Sequence, residues 1–429
     1  MTTTEVAGRE ELAARVAAAR AEFEALTARG LSVDITRGKP AADQLDLSAP
    51  MLELPGRGAY RSRNGVDTRN YGGLMGLPEL REIFAPALQV PVGQLLAGGN
   101  SSLELMHASL VTALLFGVPG GTDRWIDGPA TVLCPVPGYD RHFALAEQLG
   151  LNLVPVPMTA AGPDMDVVEA LVAEDPSVKA IWCVPKYSNP TGITFSDEVV
   201  ARLAAMPTAA PDFRILWDNA YAVHDLTDAP DELADLLAAA TAAGHPDRPL
   251  IFGSTSKITL AGAGVAFLGG SPANLDWFTT KALTTRSIGP DKVNHLRHAL
   301  FLRDADGLRQ HMAAHRALLR PKFDAVRRIL TEQLGGTGLA TWTDPRGGYF
   351  VCLEVPDGCA AQVVATTREA GVVLTPAGAT HPYGRDPRDA YIRIAPSFVG
   401  PAELEVAVAA LATCVRLVGH QAQLARAGG

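Results

Sequence analysis

One lysine stands where an amine nucleophile would be useful. Lys257 closes the run Ser254-Thr255-Ser256-Lys257, directly after the apolar, strand-like Leu250-Ile251-Phe252-Gly253. An amine at the end of a buried strand is partly desolvated, which lowers its pKa and frees the neutral form to add to a carbonyl as a Schiff base. The hydroxyls before it, Ser254 among them, suit a phosphate. On a surface loop the same residues would be only a solvated lysine among hydroxyls. Asp218 follows the apolar Arg214-Ile215-Leu216-Trp217 and opens Asp218-Asn219-Ala220-Tyr221. A carboxylate there can hold a protonated ring nitrogen and keep the ring an electron sink; it also suits an ordinary helix N-cap. Tyr221 is placed to bond a ring hydroxyl.

Four further clusters sit at comparable positions. Asn189-Pro190-Thr191-Gly192 follows the apolar Ala180-Ile181-Trp182-Cys183. It reads either as a plain turn or as an asparagine donating to a phenolic oxygen. In Pro137-Gly138-Tyr139-Asp140-Arg141-His142, Tyr139 can stack on a planar ring and His142 can bond the aspartate behind it. Gly98-Gly99-Asn100-Ser101-Ser102 precedes a helical pattern. Glycines followed by the hydroxyls of Ser101 and Ser102 at a helix start make a phosphate cradle, or a routine Ser cap. Arg393, in Tyr391-Ile392-Arg393-Ile394, offers a guanidinium fork for a carboxylate.

The elements that must position these residues form an α/β pattern. Short apolar runs alternate with helical stretches from about residue 80 to 270, which predicts a largely parallel central sheet with crossovers and a site at the strand ends. A long helical pattern from 306 to 334 contains Pro321, a potential kink. Beyond it, alternating strand and helix signals predict a smaller α+β domain. The expected division is an N-terminal helix and arm over 1–45, associated with the small domain, a large domain over 46–305 and the small domain over 306–429. The Ala-rich stretch at 236–243 reads as a plain surface helix. The amphipathic helix at 9–29 suits packing on the body or on a partner subunit.

The 429 residues carry a net charge of −9, with 47% hydrophobic and 19% charged residues. That balance supports a large folded interior and disfavours nucleic acid or an anionic membrane as partner. Five scattered cysteines without a CxxC pair argue against a disulfide framework or a metal site and fit a reducing, cytoplasmic location. No apolar run approaches the ~18 residues of a membrane span, and the charged N-terminus is unlike a secretory signal.

Taken in order, the glycine-serine cradle, Tyr139, Asn189-Pro190-Thr191-Gly192, Asp218-Asn219-Ala220-Tyr221, Ser254 to Lys257 and the late Arg393 resemble fold-type I pyridoxal-phosphate aminotransferases of the class I/II superfamily. Tyr71-Gly72-Gly73-Leu74-Met75-Gly76-Leu77-Pro78 adds a further match, and the resemblance spans about Asp34 to Arg393. Asp34-Ile35-Thr36-Arg37-Gly38-Lys39-Pro40 and the segments around 254–264 and 286–298 look like a divergent bacterial group of aspartate aminotransferases, related to the catalytic half of MocR regulators. The chain lacks room for the DNA-binding domain of those regulators, so the stand-alone enzyme is expected.

The resemblance implies a pyridoxal 5'-phosphate-dependent fold and a ping-pong transfer of an amino group, most simply from aspartate to 2-oxoglutarate. Lys257 would be the Schiff-base lysine, Asp218 the partner of the ring nitrogen, and Asn189 and Tyr221 the partners of the ring oxygen. Arg393 would dock the α-carboxylate with Gly38 beside it. Tyr71 would reach the phosphate of a neighbouring subunit, which implies a homodimer. The second carboxylate of aspartate needs another cation, for which Arg37 and Arg286 are the candidates. Another amino donor, a lyase or decarboxylase on the same fold, and a non-catalytic regulator are the alternatives. One departure stands out: where many family members have a phosphate-binding arginine, eight residues after the lysine, this chain has Val265. Lys292 or Arg286 would then supply the missing charge.

Overall fold

The structure, a computed structural model, describes residues 3–427. Its strands are β1 (Val33–Asp34), β2 (Leu95–Ala97), β3 (Thr131–Val136), β4 (Asn152–Thr159), β5 (Gly162–Pro163), β6 (Val178–Cys183), β7 (Arg214–Asp218), β8 (Pro249–Ser254), β9 (Ala266–Gly270), β10 (Thr341–Trp342), β11 (Val351–Glu354), β12 (Val372–Val373) and β13 (Tyr391–Ile394). Its α-helices are α1 (Thr3–Ala28), α2 (Ala42–Asp46), α3 (Pro78–Leu88), α4 (Ser102–Phe116), α5 (Asp140–Gln148), α6 (Met165–Glu174), α7 (Asp197–Ala205), α8 (Leu236–Ala242), α9 (Pro272–Phe278), α10 (Lys292–Leu302), α11 (Ala305–Leu334), α12 (Ala360–Glu369) and α13 (Pro401–Arg426).

The central sheet runs β2-β9-β8-β7-β6-β3-β4-β5. Strands β4, β3, β6, β7 and β8 pair in parallel. Helices cover both faces, so β7 and β9 are buried at every residue and their sequences are continuous apolar runs rather than alternating ones. The expected mostly parallel sheet is present, with antiparallel edges at β9, β2 and β5. The segment Thr255–Val265 between β8 and β9 is shorter than the dozen or so residues of a parallel crossover. It therefore folds back as a closed loop, Thr255 N–H donating to the Val265 carbonyl at 2.8 Å.

Sequence-encoded caps start several of the crossover helices. Ser101, Asp164, Ser196 and Asp235 each accept a backbone N–H in the first turn of α4, α6, α7 and α8. Helix α8 differs from the plain surface helix expected for it. Leu236, Leu237 and Ala240 are buried against α7, because three apolar positions fall on one face of the short Ala-rich turn.

A second apolar core forms around α11, α12, α13, β11 and β13 and takes in Tyr187 and Tyr221 from loops of the central sheet. Helix α11 runs through Pro321 as one element. Strands β11 and β13 are antiparallel and place Cys352 opposite Arg393. The N-terminal segment joins this part of the chain: β1 pairs with β12, and α1 lies along α13 with Glu22 paired to Arg416. No helix among the described residues is long and apolar enough to cross a membrane.

Candidate active site

Parallel pairing puts the C-terminal ends of β3, β6, β7 and β8 on one edge of the sheet, where open α/β sheets bind ligands. The loops leaving those ends carry Tyr139 and His142, Asn189, Asp218 and Tyr221, and Ser254 and Lys257.

Asp218 is 3% exposed. Its Oδ2 bonds His142 Nε2 at 2.9 Å, and the imidazole stacks on Trp182 with centroids 4.2 Å apart and planes 13° apart. Tyr139 meets the His142 ring edge-on at 4.9 Å. The other oxygen, Oδ1, is buried with no partner in the chain. Leaving a buried acceptor unmade costs about 1–3 kcal/mol, more for a charged group, so this oxygen fits a donor brought by a bound molecule. A protonated ring nitrogen is such a donor.

Lys257 is half-buried, its Nζ 5.1 Å from the Tyr221 ring centroid and 5.9 Å from that of Tyr349. Burial lowers its pKa, and Asp218 opposes part of that shift, so the neutral amine is more available than in water. Burial, reinforced by Tyr139 and Asp218, pushes the Tyr221 phenol well above its ordinary value and keeps it a donor. Burial likewise raises Tyr139, to about 12.

The backbone of the lysine turn is held from below by side chains distant in sequence. His224 Nε2 donates to the Lys257 carbonyl at 3.3 Å, and the Tyr349 hydroxyl donates to the same oxygen at 3.4 Å. His311 and His315 both donate through Nε2 to the Ile258 carbonyl, at 2.6 and 2.8 Å. Gln44 Nε2 lies 2.9 Å from Tyr349 Oη and 3.1 Å from His315 Nδ1, donating to both. On the other side, Thr255 and Thr259 bond His298 Nε2 at 3.3 and 2.9 Å.

At the start of α4, the Ser101 hydroxyl accepts from Glu104 N–H at 3.3 Å, and Ser102 is the first helical residue. Gly264 packs so closely here that a Cβ would stand 3.1 Å from Thr255 Oγ1 and 3.4 Å from the Asn100 carbonyl. Ser254 Oγ lies 3.2 Å from Ser256 Oγ. Val265 is fully buried, with its N–H on Thr255 Oγ1 at 2.9 Å, so no cation enters from that position. Lys292, buried, donates to the Gly72 carbonyl at 2.5 Å. Arg286 pairs with Glu104 at 3.4 Å and lines a cavity of about 270 Å³ with Gly98, Gly99 and Ser101. Tyr71 is 77% exposed.

Arg393 is 8% exposed and lies 5.0 Å over the Phe350 ring. Nη1 donates to Asp140 Oδ1 at 2.8 Å and to Asn189 Oδ1 at 3.4 Å; Nη2 donates to Thr375 Oγ1 at 3.3 Å; Nε is buried without a partner. Gly38 packs on the same Phe350 ring, where a Cβ would stand 2.1 Å from its Cζ. The folded chain thus brings Lys257, Asp218, Tyr221, Tyr139, His142, Asn189 and Arg393 into one network of contacts. It leaves Arg37 outside: that side chain is mostly exposed and pairs with Asp34 at 3.0 Å. Reading the sequence also missed Trp182, His224, Asp140, Tyr349, Phe350 and the histidines of α11. The signal available for them was weak: Asp140 lies inside a segment already singled out, and His311 and His315 repeat at helical spacing.

Known proteins are similar to the chain over most of its length. Residues 7–427 match the family described as aspartate amino-transferase. A Mycolicibacterium smegmatis protein named as an aminotransferase, without a substrate, is 54% identical over 97% of this chain and 98% of its own. The aspartate aminotransferase of Corynebacterium glutamicum is 48% identical over 93% of this chain and 92% of its own. The crystal structure of an aspartate transaminase from the same organism superposes with a TM-score of 0.94 at 47% identity, covering 96% of this chain and 97% of the other.

Proposed function

The chain belongs to the aspartate aminotransferase family and is a transaminase; from that premise we propose that it holds pyridoxal 5'-phosphate around Lys257 and moves the amino group of aspartate to 2-oxoglutarate. The observation that carries the cofactor reading is the buried, unpartnered Asp218 Oδ1, fixed in place through His142 and Trp182. When bound, the cofactor supplies a carbonyl for the amino group and a ring that takes up negative charge.

The chain's own groups divide the remaining work. Asp218 Oδ1 would accept from the ring nitrogen. Tyr221 and Asn189 would donate to the ring oxygen, and Tyr139 would pack against the ring. Lys257 Nζ, whose neutral form is favoured by burial, would hold the cofactor, and its amine can take and return a proton as general base and acid. Arg393 would pair the α-carboxylate, and Gly38 leaves room for the Phe350 ring that lies under the guanidinium. The α4 N-terminus with Ser101, Ser102 and Ser254 would receive the phosphate, and Arg286 is the cation we assign to that side in place of the arginine absent at Val265.

The aspartate reading is supported by the names of the Corynebacterium glutamicum relatives. Arg37 is engaged with Asp34 and Arg286 is assigned to the phosphate side, so we assign the second carboxylate to a cation across a subunit boundary. Tyr71 and Ile288, 77% and 65% exposed, support a homodimer face: their loops are tied by Lys292 on Gly72 and by the close approach of Gly289 to Gly72. The division into 1–45 with 306–429 and 46–305 is supported by the β1–β12 pairing and the separate C-terminal core. Five free, buried cysteines support the cytoplasm. Purified protein with aspartate and 2-oxoglutarate yields oxaloacetate and glutamate. Turnover of another amino acid in a donor panel, without turnover of aspartate, overturns the substrate assignment alone.

A further inference from the structure

Arg393 carries an acid of its own chain. Asp140 Oδ1 sits 2.8 Å from Nη1, and the pair joins β13 to the start of α5 across 253 positions of sequence. Two carboxylates on one guanidinium repel each other at close range, so a substrate carboxylate and Asp140 compete for Arg393.

The two partners differ in freedom. Arg393 is pinned: its strand pairs with β11, its face covers Phe350, and Thr375 and Asn189 accept from it. Asp140 has a side chain 32% exposed, and it is the first residue of α5, a helix with no side-chain cap. A carboxylate swung off Arg393 stays beside the free N–H groups and the positive end of that helix, where negative charge is stabilised. The acid is therefore the partner that yields.

We propose that Asp140 is an intramolecular competitor for the α-carboxylate site, setting the affinity for amino acid and oxo acid together. The proposal rests on the reading of Arg393 as the α-carboxylate site. Because both half-reactions present the same carboxylate to the same guanidinium, Asp140 weakens both substrates by one common factor. It acts through Arg393 and touches no reacting atom.

The test uses holoenzyme with Asp140→Asn, and Asp140→Ser as a second variant that removes the reach of the side chain. KM for the amino donor and for 2-oxoglutarate both fall at least threefold by matching factors, while kcat changes less than twofold. Calorimetric Kd values for propionate and succinate, which bind without turnover, fall by the same factor. Unchanged or raised KM and Kd in both variants overturn the proposal and leave Asp140 as an anchor of Arg393. Arg393→Gln separates the two readings: it raises KM for both substrates and Kd for propionate if Arg393 is the carboxylate site. If it does not, the failure belongs to the assignment of Arg393 and not to the competition.

Discussion

Acid should dismantle this site through its histidines. His224 is pushed down to about 3, and His295, His298 and His315 to about 4, from an ordinary 6.5, in each case chiefly by burial. Local donors add a reason. His315 Nδ1 faces the amide of Gln44 and His295 Nδ1 faces the Leu77 N–H at 3.4 Å, so a proton added to either ring would point at another donor. With folded pKa values below the unfolded one, the unfolded chain binds more protons between pH 6.5 and 4, and stability rises with pH there. Stability is complete above about 6.5 and is lost as pH falls toward 4. Each histidine is worth about 3 kcal/mol across that window, and near pH 5.5 four together give a slope of about 5 kcal/mol per pH unit. Typical folding stabilities are about 5–15 kcal/mol, so unfolding between pH 6 and 4 follows. Carboxylates held low, such as Asp67 at about 2, titrate below this window. Urea unfolding at a series of pH values measures the slope. His298→Asn, which removes one buried ring from the lysine turn, should lower it by about one proton. A slope below two protons between pH 6.5 and 4.5, or no change in the variant, refutes the reasoning.

Lys257→Ala should abolish the absorbance of lysine-bound cofactor and reduce turnover by about 10²-fold or more; retention of either in purified protein removes Lys257 from its role. Asp218→Asn keeps the shape and the contact with His142 but not the charge, and kcat should fall by about 10²–10³-fold, the range for one lost electrostatic partner. A kcat within tenfold of the parent contradicts the pairing of Oδ1 with a ring nitrogen. Gly38→Ala drives a methyl to 2.1 Å from Phe350 Cζ, overpacking of a kind that costs about 1–3 kcal/mol. Thermal unfolding should show that loss, and KM should rise as Phe350 shifts under Arg393; an unchanged KM disconnects Gly38 from the substrate site.

What could be read from the sequence was whatever is local. The strands of the parallel core are short apolar runs followed closely by polar turns that carry Asn189, Asp218 and Lys257, because each strand is buried on both faces and the chain turns polar where it leaves the sheet. That is why Lys257, Asp218 and Asn189 declared themselves together. The antiparallel turn of β9 was within reach of the same argument, since Thr255–Val265 is too short to cross over, but an apolar run does not state its direction. The supports of the lysine turn were out of reach. His224, His311, His315 and Tyr349 converge on two consecutive carbonyls from three separate segments, and Gln44 from a fourth holds His315 and Tyr349. A histidine repeat on α11 says only that two rings share a face. The setting of Arg37 was hidden for a related reason: a cation in a distinctive segment looks purposeful, and only the fold shows it paired near the surface with Asp34, three residues before it. The pairing of Asp140 with Arg393 is the sharper case. Both residues lay in segments picked for their chemistry, but which opposite charges meet is decided by the fold. A guanidinium already holding a carboxylate of its own chain offers a substrate less than the sequence motif promises. On the proposed reading of Arg393, the affinity of the site follows from the difference between two ion pairs, and only the folded chain shows the second one.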